Sequence, residues 1–378
     1  MNPHHKTLAF DTILEQLADH ALSDQTKARC LALTPATILI EATNQATQTT
    51  GAKHIMEQVG TPPIAVMTEL DKVLALLSAD AMLTPENIGH VLTFVDSCHR
   101  MKTYLGRAEQ TGVGIATYGQ SIISLPELAD EITRCIRHGE VDDRATTRLR
   151  DIRRDMELIQ DKIKTKLEHT MKTNKQYCAD GVAVVRDGRY TIPFQKKYKN
   201  KIPGTVVSMS NTGETCFIEP SAIGKLQDEL SYLHIEEDSE IRTVLYTLTA
   251  LIDEHLINLH QNREAMETLD FVFAKAKLSI AMQASQLRLT EQRDIRLLSA
   301  RHPLLSADEA VPLNYALGSE CAGIIITGPN TGGGKPCPSK PWGLSRSWLR
   351  AVYTYPWARA AACASLTVSG VTSVTTKV

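Results

Sequence analysis

The sequence predicts a mostly α protein: a helical core, two long antiparallel helices with a small β-containing module between them, and the first strands of an α/β domain near the end. Three observations carry this reading. Apolar residues recur at three- and four-residue steps through long charged stretches. Between residues 181 and 220 that pattern gives way to short β-branched runs broken by turn residues. Finally, Ile324-Ile325-Ile326-Thr327 feeds directly into a glycine-rich loop.

Residues 1 to about 130 read as helices joined by short loops. Leu8, Phe10, Ile13, Leu14 and Leu17 keep helical spacing, as do Leu70, Val73, Leu74 and Leu77 after the Pro62-Pro63 break. Thr84-Pro85-Glu86-Asn87 sets a hydroxyl before a proline and an acid, a helix start, and Ile88, Val91, Leu92 and Val95 follow on one face. From Ala145 to Met171, Leu149, Ile152, Met156, Ile159, Ile163 and Leu167 form the seam of a long helical pairing, with charged residues between them. A second seam, Leu226, Leu230, Leu233, Ile241, Val244, Leu248 and Leu251, supplies an antiparallel partner, so the intervening segment sits at the far end of the pair. There Asp187-Gly188, between Val182–Val185 and Arg189–Phe194, predicts a tight hairpin, because a primed turn needs positive φ. Thr205–Val207 and Thr215–Ile218 read as further strands around Asn211-Thr212-Gly213. The returning helix is expected to run to about His260 and a further amphipathic helix to follow from Arg263 to Gln283.

Composition excludes several classes. With 43% hydrophobic and 22% charged residues in 378, the chain is neither disordered nor fibrous. No run reaches the roughly 18 apolar residues that span a bilayer, and the N-terminus has no signal core, so no membrane partner and a cytoplasmic location are expected. Eight cysteines, at 30, 98, 135, 178, 216, 321, 337 and 363, are spread singly with no CxxC, which reads as free thiols. Charge is uneven. Every acid lies at or before Glu320, leaving −8 on the first 320 residues and +6 on the remainder, where all three tryptophans also lie.

Candidate sites are few. Gly328-Pro329-Asn330-Thr331-Gly332-Gly333-Gly334-Lys335 follows a strand-like run, as a nucleotide phosphate cradle does: glycine N–H groups face the phosphates and the lysine reaches the outer ones. The usual G-x-x-x-x-G-K-[ST] spacing is exceeded by one residue, and Pro336 stands where the magnesium-binding hydroxyl belongs. Lys196, Lys197, Lys199 and Lys201 around Tyr198 suit phosphate contact with stacking, with Arg189 and Arg186 on the neighbouring hairpin; a solvated lysine loop is the alternative. The histidines show no metal spacing, and Asp142-Asp143 and Glu236-Glu237-Asp238 read as solvated helix faces. No catalytic and no metal-binding residue is assigned.

Six motifs in this order resemble the second bacterial MutS subfamily: Asp187-Gly188-Arg189-Tyr190-Thr191-Ile192-Pro193, Lys201-Ile202-Pro203-Gly204, Gly213 with Phe217-Ile218-Glu219-Pro220, Asp270-Phe271-Val272-Phe273-Ala274-Lys275-Ala276, Arg301-His302-Pro303-Leu304-Leu305 and Gly328-Pro329-Asn330-Thr331-Gly332-Gly333. The resemblance covers residues 6 to about 333. It implies a helical core (1–144), an ascending lever helix (145–172), a β-rich clamp (173–220), a returning lever (221–262), a core helix (263–294) and the start of a P-loop ATPase domain (295–335). For intact members it also implies ATP with Mg2+, a homodimer, double-stranded or branched DNA as partner, and suppression of homologous recombination. Smr endonuclease activity and action on ribosomes or ribosomal RNA belong to the same implication, as does the absence of a mismatch-reading N-terminal domain. On this resemblance the cradle residues 328–335 would bind ATP and the clamp cations DNA.

The departures carry expectations of their own. Beyond the phosphate loop the family continues with Lys-Thr, an acidic magnesium strand, a signature loop, a coiled coil and the Smr domain, and residues 336–378 match none of them. The change of composition where the motif fails predicts a one-base insertion near Gly334. With no carboxylate side chain after Glu320, ATP hydrolysis by this chain is not expected, and ATP binding is expected no tighter than about millimolar. Two other readings stay open: a non-enzymatic lever and clamp scaffold that binds nucleic acid without ATP, and a coiled-coil structural protein.

Overall fold

The computed structural model describes residues 10–317, except 35, 37, 113, 180, 181, 287, 291–294, 302 and 305–311, together with 354–356 and 362–364. In chain order its elements are α1 (Phe10–Asp19), α2 (Asp24–Leu31), α3 (Leu39–Val59), α4 (Thr68–Ser78), α5 (Pro85–Ala108), α6 (Pro126–Cys135), β1 (Ile136–Arg137), β2 (Glu140–Val141) and α7 (Thr147–Thr173). There follow β3 (Val184–Arg186), β4 (Arg189–Gln195), β5 (Gly204–Met209), β6 (Thr215–Pro220), α8 (Ser221–Glu254) and α9 (Leu256–Ala281). The last are β7 (Ala284–Gln286), β8 (Arg288–Thr290), β9 (Ile295–Ala300), β10 (Leu313–Leu317), β11 (Thr354–Pro356) and β12 (Ala362–Ala364). The described protein is mostly helical with small sheets.

Packing divides the chain into two units, one gathering Met1–Lys72, Thr93–Leu125 and His255–Val378, the other Val73–Leu92 and Pro126–Glu254. In the first, α9 is the central element, because Leu269 through Ala276 are all buried, as on a helix enclosed on every side. Its Asp270 accepts the Leu22 and Ser23 N–H groups, both at 3.0 Å, where Ser23 caps α2. Asn262 brackets Ile123, accepting its N–H at 2.7 Å and donating to its carbonyl at 2.8 Å. Phe10, Ile13 and Leu17 of α1 pack with Phe271, Ala274 and Leu278. Strands β10, β9, β12 and β8 form one sheet in that order, with β9 antiparallel to β10 and β12 parallel to β8, while β11 pairs with β7.

The second unit is the long helical pair and its β module. Thr146 caps α7 by accepting the Leu149 N–H, and the six seam residues from Leu149 to Leu167 are all buried. Thr146 reaches Glu240, Arg148 reaches Glu236 and Lys166 reaches the Ala222 carbonyl, so α8 runs back antiparallel along α7. The acidic clusters of the sequence are therefore partners for α7 cations: Arg153 pairs with Asp143 and Glu237. In the smaller elements, Thr84 accepts the Asn87 N–H at the start of α5.

Boundaries differ from expectation at both ends of the core helix: α9 ends at Ala281, so β7 and β8 occupy part of the 263–294 stretch assigned to it. The returning helix stops at Glu254, and α9 begins at Leu256 rather than near Arg263. His255, at φ −98° and ψ 8°, interrupts the helix without a side-chain cap. No glycine or proline marks this break, and the apolar spacing continues through Leu248, Ile252, Leu256 and Leu259, so periodicity alone reads across it. The strand-like run 321–327 and the phosphate loop 328–335 lie outside the described residues.

Candidate nucleic-acid interface

The β module is a four-stranded antiparallel sheet in the order β3-β4-β6-β5. Asp187 and Gly188, at φ 48° and 73°, make the two-residue turn between β3 and β4, with Arg186 opposite Arg189. Along β4, Ile192 pairs with Ile218 of β6 and Phe194 with Cys216, and Cys178 bridges Phe194 on the other side. The Ile192, Phe194, Cys216 and Ile218 side chains are buried in one cluster with Ile159, Ile163 and Leu167 of α7 and Ile223 and Leu230 of α8, which makes the sheet's inner face part of the helical seam. Gly204 stands opposite Pro220, where a β-carbon would run into the Glu219 carbonyl oxygen and the Ile218 side chain. Only glycine permits that approach of β5 to β6.

The lysine run is the connection from β4 to β5. Lys196 to Tyr198 form a single 3₁₀ turn; the Lys196 N–H donates to the Glu214 carbonyl at 2.8 Å and the Lys201 N–H to the Tyr198 carbonyl at 2.9 Å. At its far end the Ser221 N–H of α8 donates to the Pro203 carbonyl at 2.9 Å. The loop backbone is therefore fixed at several points, while the side chains of Lys196, Lys197, Lys199 and Lys201 are exposed. None of the four forms an ion pair with another described residue. Lys197 holds its amine 4.8 Å from the centre of the Tyr198 ring, and Tyr198 packs on Tyr177 at 5.0 Å between ring centres. Four exposed charges on a fixed backbone, beside an aromatic pair, can neutralise phosphates and offer a ring to a sugar or base.

Arg189, expected beside these lysines as a DNA contact, is engaged elsewhere. Its guanidinium donates to both oxygens of Glu219, at 2.8 and 2.7 Å, and to Asp228 at 2.8 Å. Hydrogen bonding to Glu219, then to Asp228, raises its pKa further above the ordinary arginine value. Two carboxylates thus take the charge that a phosphate would need. Arg186, across the turn, lies 4.7 Å from the Phe217 ring centre.

Gln227 is the residue that sequence reasoning missed. It is buried on α8, accepting the Tyr190 N–H at 3.0 Å and donating to the Tyr190 carbonyl at 2.9 Å. Its signal was present: a polar residue at seam spacing between Ile223 and Leu230. Among the described residues no group of three or more His, Cys, Asp or Glu could hold a metal ion, and no helix is long and apolar enough to cross a membrane. The cradle residues Gly328 to Lys335 lie outside the described residues.

Comparison with known proteins adds the relationship. No family model matches the chain. It is 32% identical over 332 residues to Endonuclease MutS2 of Geobacillus sp. (strain WCH70), covering 86% of this chain and 42% of that protein. It is likewise 32% identical to Endonuclease MutS2 of Bacillus velezensis and 30% identical to Putative endonuclease MutS2 of Bacillus subtilis, with the same coverage of each. The chain thus spans well under half the length of these curated relatives. The ordered motifs and the matched 86% of its length make the chain a homologue of the MutS2 endonucleases.

Proposed function

We propose that this chain is a nucleic-acid-binding protein of MutS type that holds double-stranded or branched DNA through the β module, with Lys196, Lys197, Lys199 and Lys201 on phosphates. The observation that carries the proposal is the set of four exposed lysines, without described ion pairs, on a loop whose backbone is tied to the turn before β6 and to α8. Relatives named endonucleases support a DNA-related role. We further propose that the phosphate loop 328–335 begins an ATPase domain taking ATP with Mg2+, and that proteins of this type also carry Smr endonuclease activity, homodimerise and act in recombination. Ribosomal RNA is the alternative target for the same lysines. A lever and clamp scaffold that needs no nucleotide remains the second reading, favoured by a lysine loop anchored wholly within the second unit; it predicts DNA retention indifferent to ATP.

The test is charge reversal of the four lysines together, read by fluorescence anisotropy with a labelled duplex across a salt series. Four phosphate contacts contribute about −3.6 to the slope of log affinity against log salt, and the variant should lose that contribution. Unchanged affinity and slope would remove the loop from the binding account.

A further inference from the structure

Strand β4 begins with two residues that α8 clasps. Arg189 takes Asp228 of α8 along with Glu219 of β6, and Tyr190 gives both its backbone groups to the Gln227 side chain. Strand geometry explains why an amide side chain is needed. Arg189 and Thr191 alternate with Tyr190, so in a two-residue hairpin Tyr190 turns its N–H and carbonyl away from β3. On that side, continuing the register of Ile192 with Ile218 would set Tyr190 opposite Pro220, which has no N–H to offer. The ladder ends there. Gln227, 2% exposed, supplies the missing donor and acceptor from the helix.

The covalent joint beside this clasp has no slack. Strand β6 ends at Pro220 and α8 begins at Ser221, whose N–H is bound to Pro203 at the end of the lysine loop. Rotation at the Pro220–Ser221 joint would tear Gln227 from Tyr190 and Asp228 from Arg189. We infer that Gln227, Asp228 and Arg189 are positioning residues that lock the β module to α8, so that the long helix sets the direction in which the lysine loop faces a nucleic acid none of the three touches. This rests on the nucleic-acid reading above for its consequence, though not for the lock itself.

The experiment uses the full chain with Gln227→Met and Asp228→Asn. Asp228→Asn makes the protein one charge less acidic, so electrostatics alone would tighten binding to a duplex; the lock predicts that it weakens. Each variant should lose about fivefold or more in duplex affinity, the worth of one net hydrogen bond, with far-ultraviolet circular dichroism unchanged. Equal or tighter binding by Asp228→Asn, when the lysine reversal does abolish binding, would overturn the positioning role. If the lysine reversal leaves binding unchanged, the nucleic-acid reading has failed, and amide hydrogen exchange judges the lock alone. Gln227→Met should then release the Tyr190 amide while Ile192 and Phe194 stay protected, and an equally protected Tyr190 would overturn it.

Discussion

Replacing Lys275 by methionine should stabilise the protein at neutral pH. Lys275 is 1% exposed on α9, its amine 4.7 Å from the Phe271 ring centre, which the Arg29 guanidinium approaches at 4.2 Å. Burial first, then the Arg29 charge, pull the amine from its ordinary 10.5 down to about 8, with Cys30 opposing. The sign follows from linkage. Below about 8 the amine is charged whether the chain is folded or unfolded, and the folded state bears the full cost of burying that charge; between there and 10.5 only the unfolded chain keeps its proton, so stability rises with pH. At about 1.4 kcal/mol for each tenfold change in proton affinity, the cost is about 3 kcal/mol near pH 7 and about 1 kcal/mol near pH 9.5. Methionine has similar reach and no charge, and its packing gains or losses do not vary with pH. Its advantage over lysine should therefore shrink by about 2 kcal/mol between those two conditions. The nearby Cys30 thiol, pushed up to about 12, does not titrate in this range. Paired urea unfolding curves, followed by circular dichroism, measure the difference directly. A variant whose advantage is the same at both pH values, or which is less stable near pH 7, would refute a buried charged amine.

Two further outcomes follow from particular contacts. Gly204→Ala should destabilise the β module by about 1–3 kcal/mol, because the new carbon would also stand 2.9 Å from the Ile218 Cγ2; a thermal melt unchanged from the parent would contradict the close β5–β6 approach. Burial raises the Cys30 and Cys98 thiols to about 12 and Cys135 to about 11, so all three should resist iodoacetamide in the folded protein and react once urea is added. Peptide mass spectrometry reads this, and rapid native labelling of Cys98 would show that its helix opens.

What was legible in the sequence was legible for a physical reason. The α7 seam stands out because mostly charged residues lie between its apolar ones, and Asp187-Gly188 because few other pairs tolerate two positive φ values. The lysine run is visible as composition, yet whether its charges are already taken depends on residues far along the chain. Arg189 shows the difference: its partners lie 30 and 39 residues downstream, on a strand and a helix whose approach no local pattern specifies. Gln227 was hidden for the opposite reason, since in a periodic reading one polar residue in a seam is an irregularity to be passed over. The helix break at His255 left no trace because breaks are recognised by glycine, proline or a change of period, and none is present there.

The bond from Asp270 to the backbone of Leu22 and Ser23 joins positions 248 and 247 residues apart. During synthesis at about 5–20 residues per second, the N-terminal helices wait roughly 12–50 s for that carboxylate to be made. Until then the N–H groups before α2 have only water, and Phe10, Ile13 and Leu17 lack the Phe271, Ala274 and Leu278 surface that covers them. The second unit, continuous from Pro126 to Glu254 apart from Val73–Leu92, has its seam and sheet complete earlier. The order of assembly is thus partly inverted relative to the order of translation: the middle of the chain has all its partners before the beginning meets the α9 surface that covers it.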